Sequence, residues 1–466
     1  MKGSVNIVPT DSECSKQVCL SDSRDVVRFF PFTYNNIFTF LACLWIIAAS
    51  LGPDSSSLLG IIKIRFEDIL IIVMSLLIII KMRRHKISLD SLQLTFKIAI
   101  FFAALCVISI LSMYVNSFSP ETISIQKGTF GYDKNIEIMK EFTRFSKYMV
   151  VAFAFSQMPS ESWKYSLIVL VMCCLIMIGI QLLQYLMPDF ITPVLNEIYE
   201  GGSKDSYLGP DLGWLKEGKA FRAGSLMINP NVFGAYLTAP LFIFIMNYFE
   251  AINSPFFKER KNRLLWLTVS CFTLLGLFLT QSRTMFISIV LAMIITLMFI
   301  PSVFRRKISR LIIGAITISI IFSAIFANST DRYTLEGLAR GVMEESFKTK
   351  LTLTFDSIHE LGDLIVIGAG PAGAERVDNE FGYILTWYGF IGLLTYIIFY
   401  AALYTHISQR IKNIYQRAAF RGILSTYLIG SLGATFLLNN RVFPIFIALL
   451  SLSCAKSIPI SARPIK

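Results

Sequence analysis

Apolar runs of spanning length alternate with polar connections along the whole chain. They fall at residues 35–51, 66–82, 94–115, 140–157, 164–187, 226–249, 264–281, 285–303, 311–327, 381–404, 421–438 and 442–457. A helix of about 20 apolar residues crosses the hydrocarbon core of a bilayer. The pattern therefore predicts an all-α, polytopic membrane protein with twelve transmembrane helices over residues 35–457. Residues 1–34 are polar and charged, with no early apolar core ahead of a cleavage site, so they read as a tail and not as a cleavable signal peptide. The first span then acts as its own insertion signal, and residues 458–466 form a second short tail.

Composition narrows the class. Of the 466 residues 54% are hydrophobic and 16% charged, with a mean hydropathy of +0.61. Soluble domains carry about 25% charged residues, so a water-soluble enzyme is excluded. The net charge of +12 fits a nucleic-acid binder, an anionic substrate or basic cytoplasmic loops, and the placement of the charges decides among them. With the N-terminus in the cytoplasm, the cytoplasmic segments hold 24 Lys and Arg against 8 Asp and Glu, and the outer segments hold 18 against 23. Lys97, inside the third span, completes the total of +12. The basic runs at 81–86, 258–263, 305–310 and 410–421 are thus topology determinants in contact with membrane lipid, both termini are cytoplasmic, and nucleic acid is not an expected partner.

The long connections, 116–139, 188–225 and 328–380, all fall on the outer side, where the working surface is expected. No cysteine lies in an outer connection, so no disulfide is implied. Residues 364–374, LIVIGAGPAGA, place Gly368, Gly370 and Gly373 in the spacing of a dinucleotide-binding turn. A Rossmann unit needs a long helix after the glycines and then a second strand. Here Asp378, Asn379, Glu380 and a membrane span follow at once. The segment reads as a flexible glycine-rich turn leading back into the membrane, and no cofactor is expected.

A few outer residues could carry chemistry. Arg222 precedes the sixth span, and Arg283 occupies a very short connection, LFLTQSRTMFIS, that contains no acid. Arginine in such a place runs against the positive-inside bias, and its guanidinium suits a phosphate. Asn229, Pro230 and Asn231 open a helix with an N-cap and a first-turn proline, bringing a helix N-terminus near Arg222. Asp378, Asn379 and Glu380 stand at the mouth of the tenth span, where the carboxylates could act as a general base or cap the helix. Arg376 and Arg441 are further outer cations. Outer connections hold no D-x-D pair and a single histidine, His359, so no metal is expected.

Three landmarks, RAGSLMINPNVFGAYL, LTQSRTMFISIVLA and DNEFGYILTWYGFIGLLTY behind a glycine-rich turn, resemble the O-antigen polymerase and O-antigen ligase superfamily in order and topology. The resemblance implies a GT-C-like membrane glycosyltransferase of the bacterial inner membrane, acting at the periplasmic face without metal or nucleotide sugar. Its donor and acceptor would be undecaprenyl-diphosphate-linked oligosaccharides, with a chain-length regulator and a flippase as partners. Arg222 and Arg283 would hold the diphosphate leaving group, with Asp378 or Glu380 as base, and Asn229, Asn231, Arg376, Asn379 and Arg441 would line the substrate. The ligase branch carries a histidine followed by Asn in the late loop. Here that slot reads Asp378-Asn379, which points to the polymerase branch. Two other functions fit the same hydropathy: a ligase that transfers the glycan to lipid A-core, and a flippase for lipid-linked oligosaccharides.

Overall fold

The computed structural model describes residues 34–52, 65–82, 89–117, 134–187, 224–253, 262–298, 361–370, 379–433 and 439–457, except 228, 281 and 440, with isolated positions in 190–195 and 352–359. The predicted ninth span, both tails apart from Tyr34, and most of the long outer connections lie outside the described residues. Among those described, all regular structure is helical and no strand forms. The helices are α1 (Tyr34–Leu51), α2 (Phe66–Met82), α3 (Leu89–Ser117), α4 (Lys134–Ser156), α5 (Ser162–Leu186) and α6 (Pro230–Asn253). They continue with α7 (Arg263–Leu279), α8 (Arg283–Met298), α9 (Glu380–Arg410), α10 (Ile414–Gly430) and α11 (Val442–Ser457).

Four stretches, Leu92–Val115, Ser162–Leu186, Pro230–Asn253 and Glu380–Arg410, are long and apolar enough to cross a membrane. The chain is a membrane-embedded helical protein. In α6, 89% of the spanning window is buried, against 39% in α3; an apolar helix buried on all sides is the centre of a bundle. α6 packs on α7, α10 and α5, and Gly422 of α10 lets that helix close on the Phe242 ring. The outer helices present large apolar side chains outward, including Ile100, Ile110 and Phe390, each above 60% exposed, as lipid contact requires.

Some boundaries differ from the apolar runs because caps, not hydropathy, end helices. α10 begins at Ile414, ahead of the apolar run at 421–438, because the Asn413 side chain accepts the amides of Tyr415 and Gln416. It ends at Gly430, followed by a turn over Ser431–Gly433.

Side-chain contacts sort the helix ends onto two poles. At one, Trp45 late in α1 donates to the Glu67 carbonyl at the start of α2, Tyr236 early in α6 reaches Ser50, and Ser112 late in α3 reaches the segment before α9. At the other, Thr39 meets Ser162, Lys81 lies over the Phe38 ring, Arg410 reaches Gln93, and Asn413 reaches Glu250. Successive helices run in opposite directions except α8 and α9, which both start at the pole that holds Glu380; the other pole holds Arg410.

α9 breaks at Gly389, which adopts φ 66° and ψ −167° inside the helix. A break removes partners from the carbonyls of Thr386 and Trp387, which a continuous helix would give to residues 390 and 391. The amides of Ala369 and Gly370 take those places, at 2.9 and 3.0 Å. The Ser112 hydroxyl pins the Gly368 carbonyl at 2.6 Å. Gly368 and Gly370 hold φ of +76° and +81°, and a Cβ on Gly368 would lie 2.5 Å from the Gly389 nitrogen and the Trp387 carbonyl carbon. The motif expected to be a flexible turn is, over 368–370, a close-packed backbone seat for a broken helix; Gly373 lies outside the described residues. A 3-10 turn, Gly362–Val366, leads into it where a dinucleotide fold would need a strand.

Gly368→Ala should therefore cost more than about 1 kcal/mol, read as a clear fall in the thermal unfolding midpoint of the purified protein in detergent. Gly179→Ala, where a Cβ meets nothing within 4 Å, should leave the midpoint unchanged or slightly raised. Equal midpoints for the two variants would contradict the seat.

Candidate functional site

At the Glu380 pole four helix starts are tied into a ring. Asn229 caps α6, its side-chain oxygen accepting the Asn231 amide at 2.8 Å with Pro230 in the first helical position. Asn231 Oδ1 accepts the Ser282 hydroxyl at 2.8 Å, and Ser282 directly precedes Arg283, the first residue of α8. Thr284 then packs on Gly433, where a Cβ would come within 2.6 Å of its side chain. From the same turn, the Ser431 carbonyl accepts the Glu380 amide at 3.0 Å and the Ser431 hydroxyl lies 2.9 Å from Glu380 Oε2. Arg441, 6% exposed, donates to the Leu226 carbonyl at 2.6 Å, linking α11 to the segment ahead of α6.

Each of these starts has its own local cause. Asn379 caps α9 by accepting the Gly382 amide at 2.6 Å and donates to the Thr354 hydroxyl at 2.8 Å. Asn439 caps α11 by accepting the amides of Arg441 and Val442. Before α6, Ser225 is the one non-glycine residue among those described with a left-handed φ, 50°. Its amide donates to Gln184 and its hydroxyl to the Met177 carbonyl, at 2.9 and 2.6 Å. Buried bonds hold that uncommon conformation, fixing the chain three residues after Arg222. Four N-termini at one pole concentrate unpaired amides and partial positive charge.

Glu380 is fully buried. Behind it, the Tyr396 hydroxyl stands 3.2 Å from Ser431 Oγ, and the Tyr400 ring packs on Tyr396. Beside it, α4 carries an ion pair, Glu141 with Arg144 at 2.7 Å, and the Tyr388 hydroxyl lies 3.4 Å from Glu141. The charges of Arg144, Glu141 and Glu380 all act on Tyr148, a wholly buried ring set edge-on to Phe443 of α11, whose hydroxyl meets no hydrogen-bond partner among the described residues. One turn on, Lys147 pairs with Glu67 at 3.2 Å and Asp68 at 2.7 Å at the start of α2.

The structure thus brings together Asn229, Asn231, the backbone of Arg283, Asn379, Glu380 and Arg441. Arg222, Arg376, Asp378 and the Arg283 side chain lie outside the described residues. Sequence reasoning missed Ser431, Tyr396, Tyr148 and the Glu141–Arg144 pair. A signal for the last existed: Glu141, Arg144 and Lys147 recur every third residue in an otherwise apolar run, which places them along one helix face. Among the described residues, no three His, Cys, Asp or Glu side chains stand together in a way that could hold a metal. In comparisons with known proteins, no family model matches the chain and no curated protein matches it in sequence.

Removing the Ser431 hydroxyl takes away the group facing a buried carboxylate, at a cost of about 1–3 kcal/mol. Ser431→Ala should unfold well below the wild type in detergent, and Ser431→Thr, which keeps the hydroxyl, should recover most of the loss. A Ser431→Ala protein with the wild-type midpoint would show that the contact does not hold α9 in place.

Proposed function

We propose that the chain is a surface-polysaccharide polymerase, a metal-independent glycosyltransferase that joins undecaprenyl-diphosphate-linked repeat units. In this reading the Glu380 pole faces the periplasm and the chain crosses the bacterial inner membrane twelve times. α8 starts and α9 starts at the same pole, so one further crossing between residues 299 and 379 accords with the span at 311–327. The observation that carries the reading is the ring of four helix starts, which gathers the positions of the three sequence landmarks around the Ser431–Gly433 turn. Positive helix ends and arginines suit an anionic leaving group.

The chemistry follows from that placement. A hydroxyl of the acceptor repeat unit attacks the anomeric carbon of the donor glycan. The bond from that carbon to the diphosphate oxygen breaks, and the diphosphate leaves with the electron pair. Arg222 and Arg283 spread its charge, and well-placed donors of this kind supply about 3–4 kcal/mol each. A carboxylate takes the hydroxyl proton. The Glu380 carboxylate is buried and engaged by Ser431, so Asp378 takes the proton in this scheme and Glu380 anchors the helix that presents it. Asn229, Asn231, Arg376, Asn379 and Arg441 shape the surroundings of the substrate. Aspartate in the slot where the resembled ligase branch places histidine favours polymerisation over transfer to lipid A-core.

A second reading, movement of a lipid-linked oligosaccharide across the membrane, draws on the break at Gly389, because discontinuous helices line transport sites.

In cells, Arg222→Ala and Arg283→Ala should each abolish long-chain polysaccharide while the protein stays in the membrane at its normal level. Asp378→Asn should do the same, whereas Glu380→Gln should lower the protein level itself. Normal chain lengths in both arginine variants would refute the polymerase reading, and polymer accumulating on its lipid carrier in a deletion strain would replace it with a ligase.

A further inference from the structure

Beside the ring, the seam between α4 and the first part of α9 holds hydrogen-bond donors that the proposed reaction does not use. Arg144 gives one guanidinium nitrogen to Glu141 at 2.7 Å, and its Nε–H is buried with no acceptor among the described residues. One turn further along the same face of α4, Tyr148 is 0% exposed and its hydroxyl meets no partner among them either. On α9, Trp387 is buried with its ring 4.3 Å from that of Tyr383, and its Nε1–H is likewise unmet. Arg144 interacts electrostatically with Tyr383, Tyr388 and Tyr148, so the three donors border one small cluster of rings. The Glu141 carboxylate is already shared by Arg144 and the Tyr388 hydroxyl, which lies 3.4 Å away.

A buried donor left without an acceptor destabilises a fold, and native proteins keep few of them. Three around one cluster mark a place that is short of oxygen atoms, and lipid tails offer none. The ion pair decides which kind of oxygen fits. Because Glu141 already meets the charge of Arg144 at 2.7 Å, a phosphate would have to compete with that carboxylate, whereas a neutral oxygen accepts from Nε and leaves the pair intact. Aromatic rings with a few fixed donors suit the hydroxyl and amide oxygens of a sugar. The seam is open to its surroundings at Arg144, whose side chain is 13% exposed.

We propose that the α4–α9 seam is a glycan subsite, in which oxygens of a neutral sugar enter past Arg144 and accept from Arg144 Nε, Tyr148 Oη and Trp387 Nε1. The fold keeps these donors unmet at a cost in stability, and the sugar supplies their acceptors. The identity of the ligand rests on the proposed reaction, in which one repeat unit is held while another is transferred to it. The placement of the donors stands without that reading.

The test uses the purified full-length chain in detergent, with the lipid-free repeat-unit oligosaccharide of the host polysaccharide as probe. The wild type should unfold several degrees higher when the oligosaccharide is present at millimolar concentration. Tyr148→Phe should be at least as stable as the wild type without sugar, because it removes an unmet hydroxyl, and should lose most of the rise. Arg144→Lys, which keeps a charge opposite Glu141 and removes the Nε donor, should lose it too. An equal rise in both variants, no rise in the wild type, or a Tyr148→Phe protein that unfolds below the wild type would overturn the subsite. The same rise produced by inorganic phosphate would overturn the assignment to a neutral ligand. A wild type stabilised by the oligosaccharide but unable to extend lipid-linked units would keep the subsite and refute the polymerase; extension without stabilisation would refute the subsite alone.

Discussion

Everything at the Glu380 pole depends on one constraint: a helix broken inside an apolar bundle must have its freed carbonyls satisfied from elsewhere. In lipid an unpaired backbone carbonyl costs several kcal/mol. The segment 368–370 meets that need by lending two amides to Thr386 and Trp387, and only glycines can approach so closely at positive φ. The part of α9 before the break is nine residues, about 13 Å at 1.5 Å per residue. Its direction is set by this junction, and with it the positions of Asn379 and Glu380. A continuous helix would carry those residues elsewhere.

The anchors around that short helix are of two kinds. Neutral bonds, from Asn caps and from serines, set where each helix starts. Buried charges, Glu380 with Ser431 and Glu141 with Arg144, set how α9 lies against α10 and α4. Burying an ion pair adds little net stability, but removing one partner is strongly unfavourable. Such pairs therefore make wrong packings costly. The opposite pole holds the first turns of α1, α3, α5, α7 and α10.

Hydropathy made most helices legible, because a spanning segment must be apolar nearly throughout. It misjudged a boundary where a cap decides, as at Asn413. Asn229 was legible as a cap because an N-cap is a local arrangement of side chain and backbone, whereas at the start of α9 the cap is Asn379 and not the carboxylates beside it. The role of the glycine motif was not legible: the sequence displays the glycines, whereas the gap they fill is created at Gly389, some twenty residues later. The partners of Glu380 and Glu141 were hidden for a similar reason, since Ser431 and Tyr388 are distant in sequence and look like ordinary helix residues. The backbone of Arg283, a residue set apart in the sequence by its departure from the charge bias, opens α8 beside Ser282 and Asn231.

The central claim is that this ring serves glycan transfer between lipid-linked units. The most direct measurement is to incubate the purified full-length chain in detergent with a defined undecaprenyl-diphosphate-linked repeat unit and resolve the products by mass. With no second compartment in the sample, transport leaves no trace. The account predicts a ladder of products spaced by one repeat unit, with one undecaprenyl diphosphate released for each bond formed. Substrate recovered unchanged, under conditions where the protein is folded, would contradict it.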